Sequence, residues 1–288
     1  MKSLKVLSLV GVLALGLFAV GCGGAKESAK AATPEKAEQT IINVVGSTSV
    51  TPVLQKLSDD YMGKVENVKI NVQGVGSSAG VKSANDEICE IGMSSRNLKS
   101  AEKEWGLTEH VIAYDGIDIV VHPENPVADL TSDQVNKIFK GEITNWKEVG
   151  GNDKEILVVS REAGSGTRGA FEELLKLQEK NADGKKVSIV VENALIAEGN
   201  GAVKANIASK KSAIGYISLS YVDESVKDVL VDGNKGSVEN IKNGSYKVSR
   251  PFLLLTKGEL SDDVSKFLDY IVSEEGQTIV GEKLITIK

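Results

Sequence analysis

Apolar positions along this chain fall into short runs that alternate with longer amphipathic stretches. The runs Ile41–Val45, Val68–Val72, Ile88–Met93, Ile117–Val121, Ile156–Val159, Val187–Val191, Ala213–Ile217 and Phe252–Leu255 have the length and β-branched content of buried strands. Between them, Val50, Val53, Leu54, Leu57 and Tyr61 recur at helical spacing. Val135, Ile138 and Phe139 do the same, as do Phe171, Leu174 and Leu175, and then Val264, Phe267, Leu268 and Ile271. Alternating strands and helices predict an α/β fold with mostly parallel sheets flanked by helices.

The first 40 residues stand outside that pattern. Lys2 and Lys5 precede an unbroken apolar stretch, Leu9–Val20, which has the layout of a signal peptide over residues 1–21 and is short for a membrane span. The stretch ends in Ala19-Val20-Gly21-Cys22, which resembles the lipobox of bacterial lipoproteins, with Ala19 where Leu is commoner. The resemblance implies lipidation of Cys22 and attachment to the outer side of the cell membrane. Residues 23–40 hold no large apolar side chain and read as a flexible tether.

About 250 residues remain for a folded body, enough for one large or two medium domains. Two places read as crossovers, Asp115–Val121 and Arg250-Pro251. They divide the body into a discontinuous first lobe, 41–118 plus 250–288, and a second lobe, 119–249, joined by a two-stranded hinge.

Charge and ligand chemistry narrow the function. The chain carries −6, and loss of Lys2 and Lys5 with the leader takes it to −8. No Lys/Arg block appears, so nucleic acid is not an expected partner. Two histidines and Cys89, the one cysteine of the body, give no metal-ligand spacing, and Cys89 lies in an apolar run expected to be buried and inert. No cofactor is expected.

Three segments share one design: an apolar strand, a Gly/Ser/Thr turn, then a helix. They are Gly46-Ser47-Thr48-Ser49, Gly76-Ser77-Ser78-Ala79-Gly80 and Gly164-Ser165-Gly166-Thr167. A helix start presents N–H groups without intrahelical partners, its dipole favours negative charge, and hydroxyls add donors. Each turn is an anion site in miniature. The plain alternative for any one of them is helix capping. Arg161, four residues before Ser165, adds a guanidinium suited to a tetrahedral oxyanion, or else a salt bridge to Glu162.

Arg161-Glu162-Ala163-Gly164-Ser165-Gly166-Thr167-Arg168 resembles the phosphate-binding signature of the substrate-binding lipoproteins of Pst-type phosphate ABC transporters. So do Gly46–Pro52, Gly76–Gly80, the segment Leu130–Trp146 and Ala213–Ser218, in order along the chain. The resemblance implies a two-lobed periplasmic-binding-protein type II fold. It implies high-affinity binding of inorganic phosphate outside the cytoplasmic membrane and delivery to the permease subunits of an ABC importer. A monomer without enzyme activity is expected. The family's anion ligands match Thr48, the Ser49 amide, Ser77, Arg161, Ser165, Gly166 and Thr167, with Ser47 beside them. One departure stands out: family members place an aspartate where this chain has Ser95. That carboxylate accepts the proton of hydrogenphosphate and repels sulfate. Asp115 is the candidate replacement, against a plain turn role, with Ser95 itself the other acceptor. Arg96 is expected to add charge to the mouth or to neutralise Asp115.

Competing patterns are weaker. Gly164–Gly169 satisfies G-x-G-x-x-G, but Arg161 and two further residues intervene between strand and first glycine. Gly76–Gly80 satisfies G-x-S-x-G, yet the two histidines, His110 and His122, come far too early for the Ser…Asp…His order of a hydrolase. Another oxyanion such as sulfate or molybdate, or a sensing or adhesive surface role without a transporter, are the remaining alternatives.

Overall fold

In Thr40–Gly46 every second side chain turns inward, burying Ile42 and Val44, and this strand, β1, pairs on both edges within the first sheet in the computed structural model, which describes residues 39–288. The chain continues through α1 (Thr51–Met62), β2 (Val68–Gly74), α2 (Ser77–Asn85), β3 (Ile91–Ser94), α3 (Ser100–Lys103) and the long β4 (Thr108–Val121). Then follow β5 (Asp129–Leu130), α4 (Ser132–Lys140), β6 (Leu157–Arg161), α5 (Gly166–Leu174) and a hairpin, β7 (Gln178–Lys180) with β8 (Lys186–Ser188). The chain closes with β9 (Leu195–Ala197), α6 (Gly199–Ser209), β10 (Ala213–Ser218), β11 (Lys227–Val231), α7 (Val238–Lys242), β12 (Ser249–Thr256), α8 (Asp262–Val272) and α9 (Glu274–Val280).

This is the expected α/β architecture of two lobes. Strands linked through helices pair in parallel: β1 with β2 and β3, β6 with β9 and β10. The antiparallel pairings outside the hairpin all involve β4 or β12. β4 is long enough to serve both lobes, since residues 108–116 pair with β12 while residues 117–121 pair with β10. One large core is built from residues 42–113 and 252–284, around Leu54, Ile91, Phe252 and Phe267. Another lies within residues 117–248, around Phe139, Trp146, Phe171 and Tyr216, with Phe171 and Tyr216 stacked at 3.9 Å.

The structure corrects four local expectations. Val187–Val191 is no core strand: only Lys186–Ser188 is extended, and Ile189, Val190 and Val191 lie as irregular chain against the second core. Ile88–Glu90 are not part of β3, because the chain is still leaving α2 through Glu87 at φ 55°, which leaves Ile88 72% exposed. Asp115 is no turn residue, for it sits inside β4 opposite Arg250. Arg96 does not neutralise Asp115, since its guanidinium pairs with Glu102 through two bonds of 2.7 and 2.8 Å and reaches Ser78 Oγ of the second turn at 3.4 Å. The signal peptide, Cys22 and the tether through residue 38 lie outside the described residues, whereas Thr40, assigned to the tether, opens β1. Cys89 is buried, and burial pushes its thiol up to about 11. Among the described residues no helix is long and apolar enough to cross a membrane.

Candidate functional site

The three turns follow the C-terminal ends of β1, β2 and β6, where ligand crevices of α/β sheets form. Gly46 makes the first turn possible: it holds φ at 146°, and a Cβ there would lie 2.2 Å from the Met93 carbonyl oxygen. β3 therefore packs directly on β1, and Ser95, just past its end, reaches the turns.

Ser47 Oγ accepts the backbone N–H groups of Ser49 and Val50, at 3.2 and 3.4 Å, so capping is part of its role. Its own proton goes to Ser95 Oγ at 2.8 Å. The Ser95 N–H in turn donates to Ser77 Oγ at 3.1 Å, and the Ser77 and Ser95 hydroxyls lie 3.3 Å apart. Ser47, Ser77 and Ser95 thus form one buried hydroxyl cluster from the first lobe.

From the second lobe comes the start of α5. Ser165 caps it, accepting from the Arg168 N–H at 3.1 Å. As the first two helical residues, Gly166 and Thr167 have N–H groups with no intrahelical acceptor. A Cβ on Gly166 would fall 2.1 Å from Ser77 Oγ and 2.7 Å from Ser95 Oγ, so only glycine lets this helix start close on the serine cluster. Across the same junction the Ser78 N–H donates to the Gly164 carbonyl, at 3.1 Å, and the Ser49 and Thr167 hydroxyls meet at 2.8 Å.

Arg161 is 1% exposed and pairs with Glu162, through Nε at 2.8 Å and Nη2 at 2.7 Å. Nη2 also reaches Thr48 Oγ1 at 3.2 Å, while Nη1, likewise buried, has no protein partner among the described residues. Burial works to raise the Glu162 carboxyl, but the bonds and charge of Arg161 outweigh it and hold Glu162 below its ordinary value. The salt bridge does not use up the guanidinium: one edge of the fork is bound to Glu162 and Nη1 is without a protein partner among the described residues.

Asp115 lies one step back. Its Oδ2 accepts from Arg250 Nη2 at 2.8 Å and its Oδ1 from Ser218 Oγ at 2.9 Å. Burial pushes this carboxyl up to about 6, against the opposing pull of Arg250. Asp115 makes no hydrogen bond to a turn residue directly, whereas Ser95 bonds two of them. Three site residues escaped the sequence reading. Asn200, at the start of α6, donates to Ser49 Oγ at 2.9 Å and accepts from the Ser218 N–H at 3.1 Å. Arg250 donates to Ser49 Oγ at 3.2 Å. Ser218 ends β10. The Arg250-Pro251 pair marked a crossover in sequence, and nothing local signalled Asn200. Among the described residues no group of three or more His, Cys, Asp or Glu could hold a metal ion.

The described chemistry is a buried junction between the lobes, lined by hydroxyls, helix-start amides and two partly free guanidiniums, since Arg161 Nη1 and Arg250 Nε and Nη1 have no protein partner among the described residues. The PBP superfamily domain matches residues 31–275. The phosphate-binding protein PstS of Bacillus subtilis is 32% identical over 96% of this chain and 91% of its own. PstS of Borreliella burgdorferi is 31% identical over 85% of this chain and 89% of its own. A Clostridium perfringens structure described as a phosphate ABC transporter substrate-binding protein with bound phosphate superposes with a TM-score of 0.82. It is 48% identical and covers 86% of this chain and 100% of that one. The chain belongs to the PBP superfamily and, within it, to the family of the phosphate-binding proteins PstS.

Proposed function

We propose that this chain binds one inorganic phosphate ion outside the cytoplasmic membrane and hands it to the permease subunits of an ABC importer. The observation that carries the reading is Arg161 Nη1, a buried donor without a protein partner, placed in the same junction as the turns of both lobes. A buried guanidinium edge of that kind calls for an anion. Thr48, Ser77, Ser165, the amides of Ser49, Gly166 and Thr167, and the hydroxyls of Ser47 and Ser95 complete the proposed ligand set, with Asp115 acting from behind. The relatives' descriptions as phosphate-binding proteins support phosphate over other oxyanions.

Ser95 is the acceptor for the ligand's proton in this reading. Its Oγ receives the Ser47 proton and, with its own proton turned toward Ser77 Oγ 3.3 Å away, keeps a lone pair for a P–OH group. Asp115 instead holds Arg250 and Ser218 in place. The lobes close on the ion with boundaries at 41–118 plus 250–288 and 119–249. The protein is a monomer and a carrier, not an enzyme. Lipidated Cys22 tethers it to the membrane, so Cys22→Ala moves it from the membrane to the soluble fraction. Calorimetric titration of the purified protein with phosphate and with sulfate tests the function. One phosphate site per chain is expected, and tight sulfate binding without phosphate binding would sink it.

A further inference from the structure

Five residues, two of them (Ser49 and Asp115) already candidates from the sequence, close into a ring through their side chains and the Ser218 backbone N–H. Asp115 Oδ2 holds Arg250 Nη2 at 2.8 Å, and the same nitrogen donates to Ser49 Oγ at 3.2 Å. Asn200 Nδ2 donates to Ser49 Oγ at 2.9 Å, and Asn200 Oδ1 accepts the Ser218 N–H at 3.1 Å. Ser218 Oγ returns to Asp115 Oδ1 at 2.9 Å. All five residues are buried.

The ring fixes the direction of every proton in it. A guanidinium can only donate. The orientation of the Asn200 amide is set by the Ser218 backbone N–H, an obligate donor, which requires Oδ1 on that side and Nδ2 toward Ser49. Ser49 Oγ therefore accepts twice, and both its lone pairs are used. Its one proton has a single remaining partner, Thr167 Oγ1, at 2.8 Å. Thr167 must accept there, so its own proton is released from Ser49. Thr167 Oγ1 has no other protein hydrogen bond among the described residues.

We infer that Asn200 and Arg250 are positioning residues for the anion site: by saturating Ser49 as an acceptor they turn the Thr167 hydroxyl into a donor toward the bound ion. Resting on the phosphate reading above, the relay explains why an asparagine of α6 is buried against a serine 151 positions away. It also assigns Asp115 a purpose without placing it on the ligand, since Asp115 steadies both donors, Arg250 directly and Asn200 through Ser218. Without those donors Ser49 has a free lone pair, Thr167 can donate to it, and the ion loses one hydrogen bond.

A double-mutant cycle on phosphate affinity tests the relay. In the unmodified background Thr167→Val is expected to lower affinity by roughly tenfold, the loss of one hydrogen bond to a charged group. Asn200→Asp puts an acceptor beside Ser49 at nearly the same shape and reverses the chain of protons. In that background Thr167→Val is expected to cost less than about threefold, because the hydroxyl already points away. Asn200→Leu, which frees one Ser49 lone pair without reversing the chain, is expected to give a Thr167→Val factor between those two should the Asp variant not fold. Equal factors in both backgrounds would overturn the relay, because Asn200 would then act by charge or packing alone. A Thr167→Val variant with unchanged affinity in the unmodified background would overturn it too. Failure of the unmodified protein to bind phosphate at all overturns the function itself, and the relay with it.

Discussion

Ser49 Oγ and Thr167 Oγ1 stand 2.8 Å apart across the junction of the two lobes, 118 positions apart in the chain. One belongs to the turn that opens α1, the other to the first turn of α5. Their contact joins the two lobes directly, so it is one of the bonds that hold this seam together. The Ser78–Gly164 backbone bond and the Thr48–Arg161 bond are of the same kind.

Closure depends on a missing side chain. Gly166→Ala sets a methyl 2.1 Å from Ser77 Oγ and 2.7 Å from Ser95 Oγ, closer than real Cβ atoms come. The variant is expected to fold, because the clash lies between lobes and not within one core. It is expected to lose phosphate affinity by at least about 2 kcal/mol through the overpacked seam. Titration alongside urea unfolding checks this. A variant with normal affinity would show that the seam opens further than these contacts imply.

Ser95 and Asp115 have separable roles. Ser95→Ala removes the proposed proton acceptor and leaves a buried P–OH donor unmet, at a cost of about 1–3 kcal/mol for phosphate. Sulfate, which has no such proton, is expected to lose less, so the phosphate-to-sulfate ratio falls. Asp115→Asn loosens Arg250 and is expected to weaken both anions alike. Competition titrations near pH 7 distinguish them. A ratio that shifts in Asp115→Asn and not in Ser95→Ala would move the acceptor to Asp115.

How much of this was visible in the sequence depends on distance along the chain. The three turns were legible because each is a local device, with strand, glycine, hydroxyl and helix within about ten residues. Arg161 and Glu162 are adjacent and were legible for the same reason. Asn200, Ser218 and Arg250 come together with Ser49 only through strand order and lobe contact, and no local pattern marks them. Asp115 stands at a crossover legible in the sequence, yet its place within β4 follows from pairing with β12. Strand length was misread where polar residues interrupt an apolar run, as in β4, where Thr108–Tyr114 carries Glu109 and His110. It was also misread where an apolar run packs without a ladder, as in Ile189–Val191.

Asp118 predicts a pH effect on stability. It is 2% exposed, and neither carboxylate oxygen has a hydrogen-bond partner among the described residues. Burial first, then repulsion from Asp228 and Asp115, hold its carboxyl well above the ordinary value, with Lys235 pulling the other way. Tyr246, whose hydroxyl donates to the Ile117 carbonyl at 2.7 Å, is raised by burial and by the same acids. The unfolded chain releases the Asp118 proton near pH 4, whereas the folded chain keeps it. Its contribution is therefore complete below about pH 4 and is lost as pH climbs toward the folded value. Asp118→Asn lacks this titration. Measured by urea unfolding, the variant is expected to gain on the unmodified protein between pH 4 and 8, by about 1 kcal/mol or more at the upper end. Parallel pH profiles would mean that Asp118 finds a partner.

The central claim is that a phosphate ion sits where Arg161 meets the turns of both lobes, and phosphate titration of Arg161→Ala beside the unmodified protein tests it most directly. The unmodified protein is expected to bind one phosphate per chain, and Arg161→Ala to bind about 2–4 kcal/mol more weakly, the cost of removing one side of a buried charge-assisted pair. Arg161→Lys restores only part, since a point charge cannot reproduce the fork. Unchanged affinity in Arg161→Ala would contradict the account, because the one buried guanidinium edge it assigns to the ligand would then be idle.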